Sequence, residues 1–438
     1  MFLLRGEVNE KGHLVFGGCD TVKLANTFGT PLYVMDEDYI RDRCRGYVRA
    51  LKENGLEGMV AYASKAFLNM AMVKIVAEEG MGLDVVSGGE LYTAYKAGFD
   101  LAKVFFHGNN KTPEEIAFAV EHGVGRIVID HFAEIDMVAD IARKRGKNVN
   151  VLIRVKPGVD AHTHHYIQTG KQDSKFGFGI SDGQAMEAAK RIIASEHIHL
   201  AGLHCHIGSQ IFELKPFGLT AEIMEDFRLA LMKETGELME EINFGGGYGI
   251  HYTDADHPLD PLEYIKEIAD ALKARCAEHG LALPRFIVEP GRSIVGEAGI
   301  TLYTLGSIKN IPGIRTYVSV DGGMGDNPRP ALYQAEYEAV VANKAKAEAV
   351  RKVTVAGRCC ESGDMLIHDI ALPEIEVGDI LAVFSTGAYN YSMASNYNRL
   401  PVPAVVLAKD GRAELMVRRQ TYDDLLHYDE MPSWLSKA

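Results

Sequence analysis

Several residues that could take part in chemistry come directly after apolar runs of the sequence. Lys65 follows the run MVAYAS, and His206 follows LAGLHC. Three glycines that begin at Gly245 follow EINF, and Glu289 follows RFIV. A desolvated lysine is a good imine-forming amine, and glycine N–H groups can close around a phosphate. An imidazole can stack on a flat ring, and a carboxylate can hold a pyridine nitrogen protonated.

Each motif also has an ordinary structural explanation when it is taken alone. A lysine at a strand end is more often a solvated surface residue, and a glycine-rich turn by itself is weak evidence. We expect His204 to be a hydrogen-bonded core residue that alternation points away from His206. Ser209 could bond a phosphate. Asp84, in DVVSGGE, could lie near a cofactor, but we interpret it mostly as structural.

The elements that must position these residues alternate regularly along the chain. Short β-branched and apolar runs, typical of parallel strands covered on both faces, are separated by helical patterns. One helix has a complete start signal, with Thr112 as cap, Pro113 in the first turn and Glu115 completing a capping box. The eight runs begin near Met59, Gly82, Lys103, Arg126, Val149, Leu200, Glu241 and Arg285. Eight strand–helix repeats predict a (β/α)8 barrel, which we place at residues 36–290.

The alternation of strand-like and helix-like segments ends at about residue 295. Alternating strand-like segments with glycine-containing turns predict an all-β unit. Two segments near the N-terminus, LVFGG and TPLYV, also look β-like. We therefore expect residues 1–35 and 291–438 to form one β-sandwich or barrel-like domain.

Active sites of such barrels lie where the strands end, on the carboxyl-terminal face. The strand-end residues would thus place an amine, a stacking imidazole, a phosphate cradle and a ring-nitrogen carboxylate around one barrel mouth. That combination describes a site for pyridoxal 5'-phosphate.

Charge and composition exclude several other classes of function. The formal net charge of −14 argues against a nucleic-acid partner, which needs a basic face. The sequence has no signal peptide and no apolar stretch long enough to span a membrane, so we expect a soluble cytoplasmic protein. The six cysteines fit neither a disulfide framework nor a zinc site. The cluster of His162, His164 and His165 invites a metal interpretation, but we expect no metal there.

Longer segments around the same residues resemble a known family. YASKAF, GLHCHIGSQ, GGGYG and EPGRS are similar to segments of the fold-type III pyridoxal-phosphate decarboxylases, the group related to alanine racemase. In the β unit, NPRPALY, CCESGD and GAYNYSMASNYNRLPVP narrow the resemblance to enzymes that act on meso-2,6-diaminopimelate. The resemblance covers nearly the whole chain from Thr30. It implies decarboxylation to L-lysine and CO2, the last step of lysine biosynthesis.

The resemblance also implies a role for each matching residue at the cofactor. Lys65 would carry the cofactor as a Schiff base, His206 would stack on its ring, and Glu289 would pair with the ring nitrogen. The other implied cofactor contacts are Ser209, Gly245, Gly246, Gly247, Gly291, Arg292 and Tyr389.

A second group of matching residues is implied to bind the substrate. Two guanidinium forks would select a carboxylate at the far end, and Glu361 would suit an ammonium there. A substrate with a bare amine at that end would leave buried cations unpaired, at a cost of several kcal/mol. The implied substrate residues are Arg292, Arg329, Tyr333, Glu361 and Tyr389.

The resemblance further implies that Cys360 supplies the proton that replaces the lost carboxylate. Only the register of CESGD selects Cys360 over its neighbour Cys359. In this family that loop reaches the site from a partner subunit, so a homodimer with shared active sites is implied.

Three alternatives stay open on the sequence alone. A decarboxylase of another amino acid or of a carboxylated polyamine is disfavoured by Arg329 and Tyr333 beside Glu361. A racemase would need a less electron-withdrawing partner for the ring nitrogen than Glu289. A pyridoxal-phosphate-binding regulatory protein would be expected to lack one of the catalytic residues, yet Lys65 is present.

Overall fold

The computed structural model describes residues 6–159 and 174–435. The chain forms two compact units, which we call the barrel unit and the β unit. The barrel unit comprises the described parts of Ile40–His251 and Ala255–Val295. The β unit comprises the described residues up to Tyr39, Tyr252–Asp254 and those from Gly296 onward. The His162 to His165 cluster lies outside the described residues.

The N-terminal segment supplies the first elements of the β unit. In chain order they are β1 (Glu7–Val8), β2 (Leu14–Phe16), β3 (Cys19–Asp20), α1 (Thr21–Phe28) and β4 (Leu32–Asp36). Strands β1 to β3 form an antiparallel meander. Helix α1 begins after Asp20 because the Asp20 carboxylate accepts hydrogen bonds from the backbone N–H groups of Val22 and Lys23.

Eight parallel strands close into a barrel in the order β5-β6-β7-β8-β9-β11-β12-β13, and β13 pairs back onto β5. The short β10 pairs with β9 outside this ring. Each barrel strand begins within two residues of its predicted start, so the (β/α)8 prediction is confirmed. The strands are β5 (Gly58–Ala63), β6 (Gly82–Val85), β7 (Val104–Phe106), β8 (Arg126–Ile129), β9 (Val149–Lys156), β10 (Phe178–Gly179), β11 (Ile198–His204), β12 (Glu241–Asn243) and β13 (Arg285–Val288).

The helix over Glu37–Glu53 precedes the first barrel strand, and the other helices follow barrel strands along the chain. The predicted capping box is present: the Thr112 hydroxyl accepts from the Glu115 N–H, and the Glu115 carboxylate accepts from the Thr112 N–H. The helices are α2 (Glu37–Glu53), α3 (Met70–Glu78), α4 (Gly88–Lys96), α5 (Pro113–Glu121), α6 (Phe132–Lys144), α7 (Gln184–Ile193), α8 (Lys215–Thr235), α9 (Pro261–His279) and α10 (Arg292–Val295).

The interior of the barrel is filled by side chains rather than by solvent. Small and large residues from six strands pack together there, which fixes the strand ends around a common mouth. The cluster consists of Ala61, Phe105, Val128, Leu152, Ala201 and Ile287.

The β unit is built on one long sheet with the order β18-β17-β15-β14-β4-β20-β21. The N-terminal β4 lies between β14 and β20, so the prediction that the N-terminal segment joins the β unit is confirmed. The remaining elements are β14 (Gly299–Ile311), β15 (Arg315–Val320), α11 (Arg329–Tyr333), β16 (Ala339–Val341), β17 (Arg351–Ala356), β18 (Met365–Leu372), β19 (Ile380–Val383), β20 (Ala404–Lys409), β21 (Arg412–Val417) and α12 (Tyr422–Leu426).

Two strands and one short segment of the β unit were not singled out from the sequence. Strands β16 and β18 join the sheet system, β16 through β19 and β18 through β17. The segment Tyr252–Asp254 belongs to the β unit although it follows β12 along the chain.

In the described ranges, no helix is long and apolar enough to cross a membrane.

Candidate active site

Lys65 lies just beyond the first barrel strand. Strand β5 ends at Ala63, and Ser64–Ala66 form a single 3-10 turn that contains the lysine. The Lys65 side chain is exposed in the structure, as strand-end lysines more often are. The turn carries the amine past the apolar strand, which leaves it accessible to a ligand at the barrel mouth.

Glu289 is the centre of a buried hydrogen-bond network. Its Oε1 accepts from His107 Nε2 at 2.7 Å and from Asn243 Nδ2 at 2.6 Å. Its Oε2 accepts from His204 Nε2 at 3.0 Å. Burial alone would raise the pKa of Glu289, but His107 and His204 hold it well below its usual range. The carboxylate therefore stays ionised, which is the state that a protonated pyridine nitrogen requires.

His204 is a buried, hydrogen-bonded core residue, as predicted, and its partner is Glu289 of the candidate site. It is the last residue of β11, and its ring lies 4.5 Å from that of His107 in an edge-to-face arrangement. Residues two positions apart face the same side of a strand, so alternation does not separate His204 from His206. Burial lowers the pKa of His204 to about 3, so it donates to Glu289 as a neutral imidazole.

Asp84 belongs to the same charged group. Its Oδ1 lies 3.7 Å from His107 Nε2. Burial and, less strongly, the nearby Glu289 raise the pKa of Asp84, whereas His107 and Lys65 lower it, and the result is a pKa of about 6. Asp84 thus lies beside His107 in the buried group around Glu289.

The three glycines form a tight turn after β12. The Gly245 N–H donates to Asn243 Oδ1 at 2.9 Å, and the Gly246 N–H donates to His206 Nδ1 at 3.2 Å. Gly245 and Gly247 have φ angles of 68° and 110°, which side chains rarely adopt. The Gly246 N–H thus fixes the orientation of the His206 ring, and we call the turn formed by Gly245, Gly246 and Gly247 the glycine cradle.

His206 has the properties of a stacking imidazole. Burial lowers its pKa well below the usual range, and the positive charge of Lys65 adds to that effect. Because Nδ1 accepts the Gly246 N–H, the proton of the neutral ring lies on Nε2. The ring is therefore uncharged and held in one orientation.

Ser209 follows β11, and Arg292 is the first residue of α10. Their side chains are hydrogen-bonded to each other. The Ser209 hydroxyl accepts from Arg292 Nε at 3.3 Å and from Nη2 at 3.1 Å. Gly291 precedes the arginine, and a Cβ on it would lie 2.9 Å from Ala63 Cβ, so only glycine packs there without adjustment. A hydroxyl beside a guanidinium is a suitable arrangement for a phosphate.

Taken together, the barrel unit provides the chemical groups that pyridoxal phosphate needs. An accessible amine, an anionic carboxylate, a neutral oriented imidazole and a glycine cradle lie around one barrel mouth. The fit rests on the buried anion and on a glycine turn packed so closely against neighbouring backbone that no side chain can project from it.

A second set of predicted residues lies in the β unit and is centred on Arg329. Arg329 begins α11, is only 8% exposed, and donates from Nη1 to the Tyr337 hydroxyl at 2.5 Å. Its guanidinium carbon lies 4.6 Å from the centroid of the Tyr252 ring. Among the described residues, none offers Arg329 a carboxylate within salt-bridge distance. A buried cation with only aromatic and hydroxyl partners is suited to an anionic ligand.

The structure distinguishes the two adjacent cysteines. Cys360 is exposed, whereas Cys359 is buried. Burial raises the pKa of Cys359 to about 11, with a further contribution from Asp364. The Cys360 N–H donates to Asn398 Oδ1 at 2.7 Å, which anchors its loop. Of these two thiols only that of Cys360 is exposed, and its role as a proton donor stays a prediction.

The remaining predicted residues of the β unit lie at a helix end and in loops. The Glu361 side chain is exposed, and its Oε1 accepts from the Gly363 N–H at 3.3 Å. Tyr333 ends α11 and is partly exposed. Tyr389 has a φ of 66°, a conformation that is costly for a bulky residue and that concentrates at functional sites.

Sequence reasoning missed several members of the site. His107 and Asn243 lie at the ends of predicted strands, so an inspection of every strand end would have found them. Tyr252 and Tyr337 carry no local signal, because only the fold brings them to Arg329.

His107, His204 and Glu289 also have ligand atoms close enough together to hold a metal ion. In this structure both histidine Nε2 atoms are engaged by the carboxylate of Glu289. We therefore interpret the cluster as a network that orients a carboxylate.

A (β/α)8 barrel with these groups at its mouth defines a pyridoxal-dependent decarboxylase. Residues 37–296 match the family described as "Pyridoxal-dependent decarboxylase, pyridoxal binding domain". The diaminopimelate decarboxylase of Bacillus subtilis (strain 168) is 52% identical over 422 residues, which cover 96% of each chain. That of Staphylococcus aureus (strain COL) is 49% identical and covers 96% of this chain and 98% of its own. This chain belongs to the diaminopimelate decarboxylase family.

Solved structures agree with this assignment. Diaminopimelate decarboxylase from M. jannaschii in complex with L-lysine matches with a TM-score of 0.90 and 37% identity, over 99% of each chain. The enzyme from Helicobacter pylori complexed with L-lysine matches with a TM-score of 0.85 and 31% identity, over 93% of this chain and 98% of that one. The family resemblance drawn from the sequence motifs is confirmed.

The glycine cradle gives a prediction for cofactor binding. A Cβ at Gly246 would lie 2.2 Å from the carbonyl oxygen of Glu289, and a backbone clash cannot be relieved by rotating a side chain. We expect Gly246→Ala to weaken pyridoxal-phosphate binding by at least about fivefold, measured by fluorescence titration.

Gly46→Ala is a matched control, because no atom lies within 4 Å of a Cβ there and the residue is within α2. It should leave the affinity unchanged and raise the free energy of unfolding by about 0.5–1 kcal/mol. Equal affinities for the two variants would contradict the cradle assignment.

Proposed function

We propose that this chain binds pyridoxal phosphate through Lys65 and converts meso-2,6-diaminopimelate to L-lysine and CO2. The observation that carries the proposal is the buried Glu289, kept ionised by His107 and His204 beside the glycine cradle. An anion at this position favours a protonated pyridine ring, and a protonated ring is the stronger electron acceptor. Our expectation that the enzyme works in the cytoplasm stays a prediction.

Different residues of the barrel unit bind different parts of the cofactor. Lys65 supplies the amine, His206 covers one face of the ring, and Glu289 pairs with the ring nitrogen. Ser209, Gly245 to Gly247, Gly291 and Arg292 surround the phosphate. When it is bound, pyridoxal phosphate supplies an electron sink for the pair left on the α-carbon as CO2 departs. Cys360 then gives that carbon the proton that takes the place of the carboxyl group.

The substrate residues act by holding the end of the molecule that does not react. Arg292, Arg329 and Tyr333 bind the far carboxylate, Glu361 binds the far amino group, and Tyr389 touches cofactor and substrate. Support comes from Arg329, which is buried without an acidic partner among the described residues. A fixed far end positions the scissile bond for reaction.

A homodimer with shared sites is part of the proposal. It rests on the family resemblance, in which the CESGD loop serves the barrel of a partner subunit. The exposure of Cys360 and Glu361 in a single chain is compatible with that arrangement. The alternatives of a racemase and a regulatory protein receive no support, because Glu289 is held as an anion and Lys65 and Cys360 are accessible.

The first prediction tests the cofactor assignment. The purified protein should be yellow with bound pyridoxal phosphate, and borohydride reduction followed by peptide mapping should find the pyridoxyl group on Lys65. The reason is that Lys65 is an accessible amine at the barrel mouth. Lys111 is a suitable internal control, because its Nζ is buried against Glu134 at 2.6 Å and should remain unlabelled. A label on another lysine would refute the assignment.

A second prediction tests the shared site. Lys65→Ala and Cys360→Ala should each be inactive, since each removes one essential group. Mixing them under conditions of subunit exchange should restore about a quarter of full activity, because only one site of a mixed dimer is intact. Mixing Lys65→Ala with Lys65→Met is the control and should restore none. Absence of recovery despite demonstrated exchange would argue that both residues serve the site of one chain.

A third prediction concerns the choice of substrate. Arg329→Ala should lower kcat/KM on meso-diaminopimelate by about 30- to 1000-fold, the range for losing a bidentate charged contact. Arg329→Lys should recover only part, since an ammonium cannot reproduce the planar fork. Pyridoxal-phosphate content should stay unchanged in both variants.

Arg49→Ala provides the control for this series, because the Arg49 side chain is 70% exposed on α2 and should be dispensable. The unmodified protein should act on lysine far more slowly than on meso-diaminopimelate. Comparable rates on the two compounds, or full activity of Arg329→Ala, would mean that the substrate assignment is wrong while the cofactor assignment stands.

A further inference from the structure

Arg329 is held by two tyrosines rather than by an acid. Tyr337 and Tyr252 are only 3% and 6% exposed, and their rings meet edge to face with centroids 5.4 Å apart. The guanidinium carbon lies 4.6 Å from the Tyr252 centroid and 5.6 Å from the Tyr337 centroid. The Tyr337 hydroxyl accepts a hydrogen bond from Nη1 at 2.5 Å. The two rings and the hydroxyl form a cradle, which we call the tyrosine cradle.

The chemistry of this cradle differs from that around two other buried cations, Lys111 and Arg228. Lys111 and Arg228 are neutralised by Glu134 and Glu225 at 2.6 and 3.1 Å. An aromatic face attracts a cation without cancelling its charge. A hydroxyl accepts a hydrogen bond from one N–H and likewise carries no negative charge that would neutralise the cation. Arg329 is thus fixed in place while its full positive charge is kept for a ligand.

An acidic partner at the same position would have the opposite effect. It would neutralise the guanidinium and compete with an incoming carboxylate for the same N–H donors. Without any partner, the long arginine side chain would lose conformational freedom only on binding, which weakens affinity. The tyrosine cradle avoids both losses.

The placement of Tyr252 supports a specific role over ordinary packing. Tyr252–Asp254 form a three-residue segment that belongs to the β unit although the neighbouring residues belong to the barrel unit. Its ring stands against Arg329 and Tyr337, and the Asp254 N–H donates to Glu338 Oε1 at 2.9 Å. Glu338 is the neighbour of Tyr337 in sequence, so this contact holds the two tyrosine segments together.

We infer that Tyr337 and Tyr252 are positioning residues that preorganise Arg329 for the far carboxylate of the substrate. The inference rests on the proposed function, and it adds two residues that select for an amino-acid head at that end. Their action is on recognition of a carboxylate and not on the reacting atoms.

The test uses the holoenzyme and two competing ligands. L-lysine retains the far carboxylate, whereas cadaverine is the corresponding diamine without it. Tyr337→Phe removes the hydroxyl and keeps the ring, and Tyr252→Leu removes the aromatic face. Tyr252→Phe keeps that face and is the matched conservative variant.

We expect Tyr337→Phe to raise KM for meso-diaminopimelate and the inhibition constant of L-lysine in parallel, by about tenfold. Tyr252→Leu should raise both by about 10- to 30-fold, and Tyr252→Phe should restore them to within about threefold of the unmodified enzyme. In every variant kcat should stay within about threefold, and the inhibition constant of cadaverine should not change.

Two results would overturn the inference. One is an unchanged inhibition constant of L-lysine in both Tyr337→Phe and Tyr252→Leu. The other is an equal loss of L-lysine and cadaverine binding, which would indicate general damage to the site. If the unmodified holoenzyme fails to turn over meso-diaminopimelate, the proposed function fails. Calorimetric binding of L-lysine to the same variants then decides the inference separately.

Discussion

The ionised state of Glu289 is the constraint on which the barrel site depends. A carboxylate at the end of a buried strand would ordinarily take up a proton, because burial disfavours its charge. Hydrogen bonds from His107, His204 and Asn243 reverse that tendency. These donors come from three other strand ends, so the closure of the barrel and the charge of one side chain are linked. A sheet with open edges would not bring four strand ends to one carboxylate.

The fold was largely predictable because its strands and helices have local sequence signals, such as apolar runs and capping residues. The barrel strands begin within two residues of the starts deduced from apolar runs, and the capping box at Thr112 is present. Residues that follow strands directly, such as Glu289, could be predicted for the same reason. The 3-10 turn that contains Lys65 could not, because it has no signature in the sequence. Long-range contacts such as that of Tyr252 with Arg329 escape any local pattern.

The two units present their chemistry in different ways. The barrel unit builds its site from strand ends and glycine turns, where backbone geometry is rigid. The β unit relies on loops, including one in which Tyr389 adopts a left-handed conformation. Such a conformation persists only when the surroundings impose it. Hydrogen bonds anchor the loops, as Asn398 does for Cys360, so the thiol is exposed without being loosely held.

The position of β4 in the β unit has a consequence for how the protein is made. This strand precedes the barrel in the chain, whereas one of its two neighbours, β20, follows the barrel, about 370 residues after β4. The barrel can form while the ribosome is still adding the β unit, since domains generally fold as units during synthesis. One edge of β4 must then wait until β20 has emerged. Release of a truncated chain would leave that edge open to pairing with other molecules, which makes completion of translation a safeguard against aggregation.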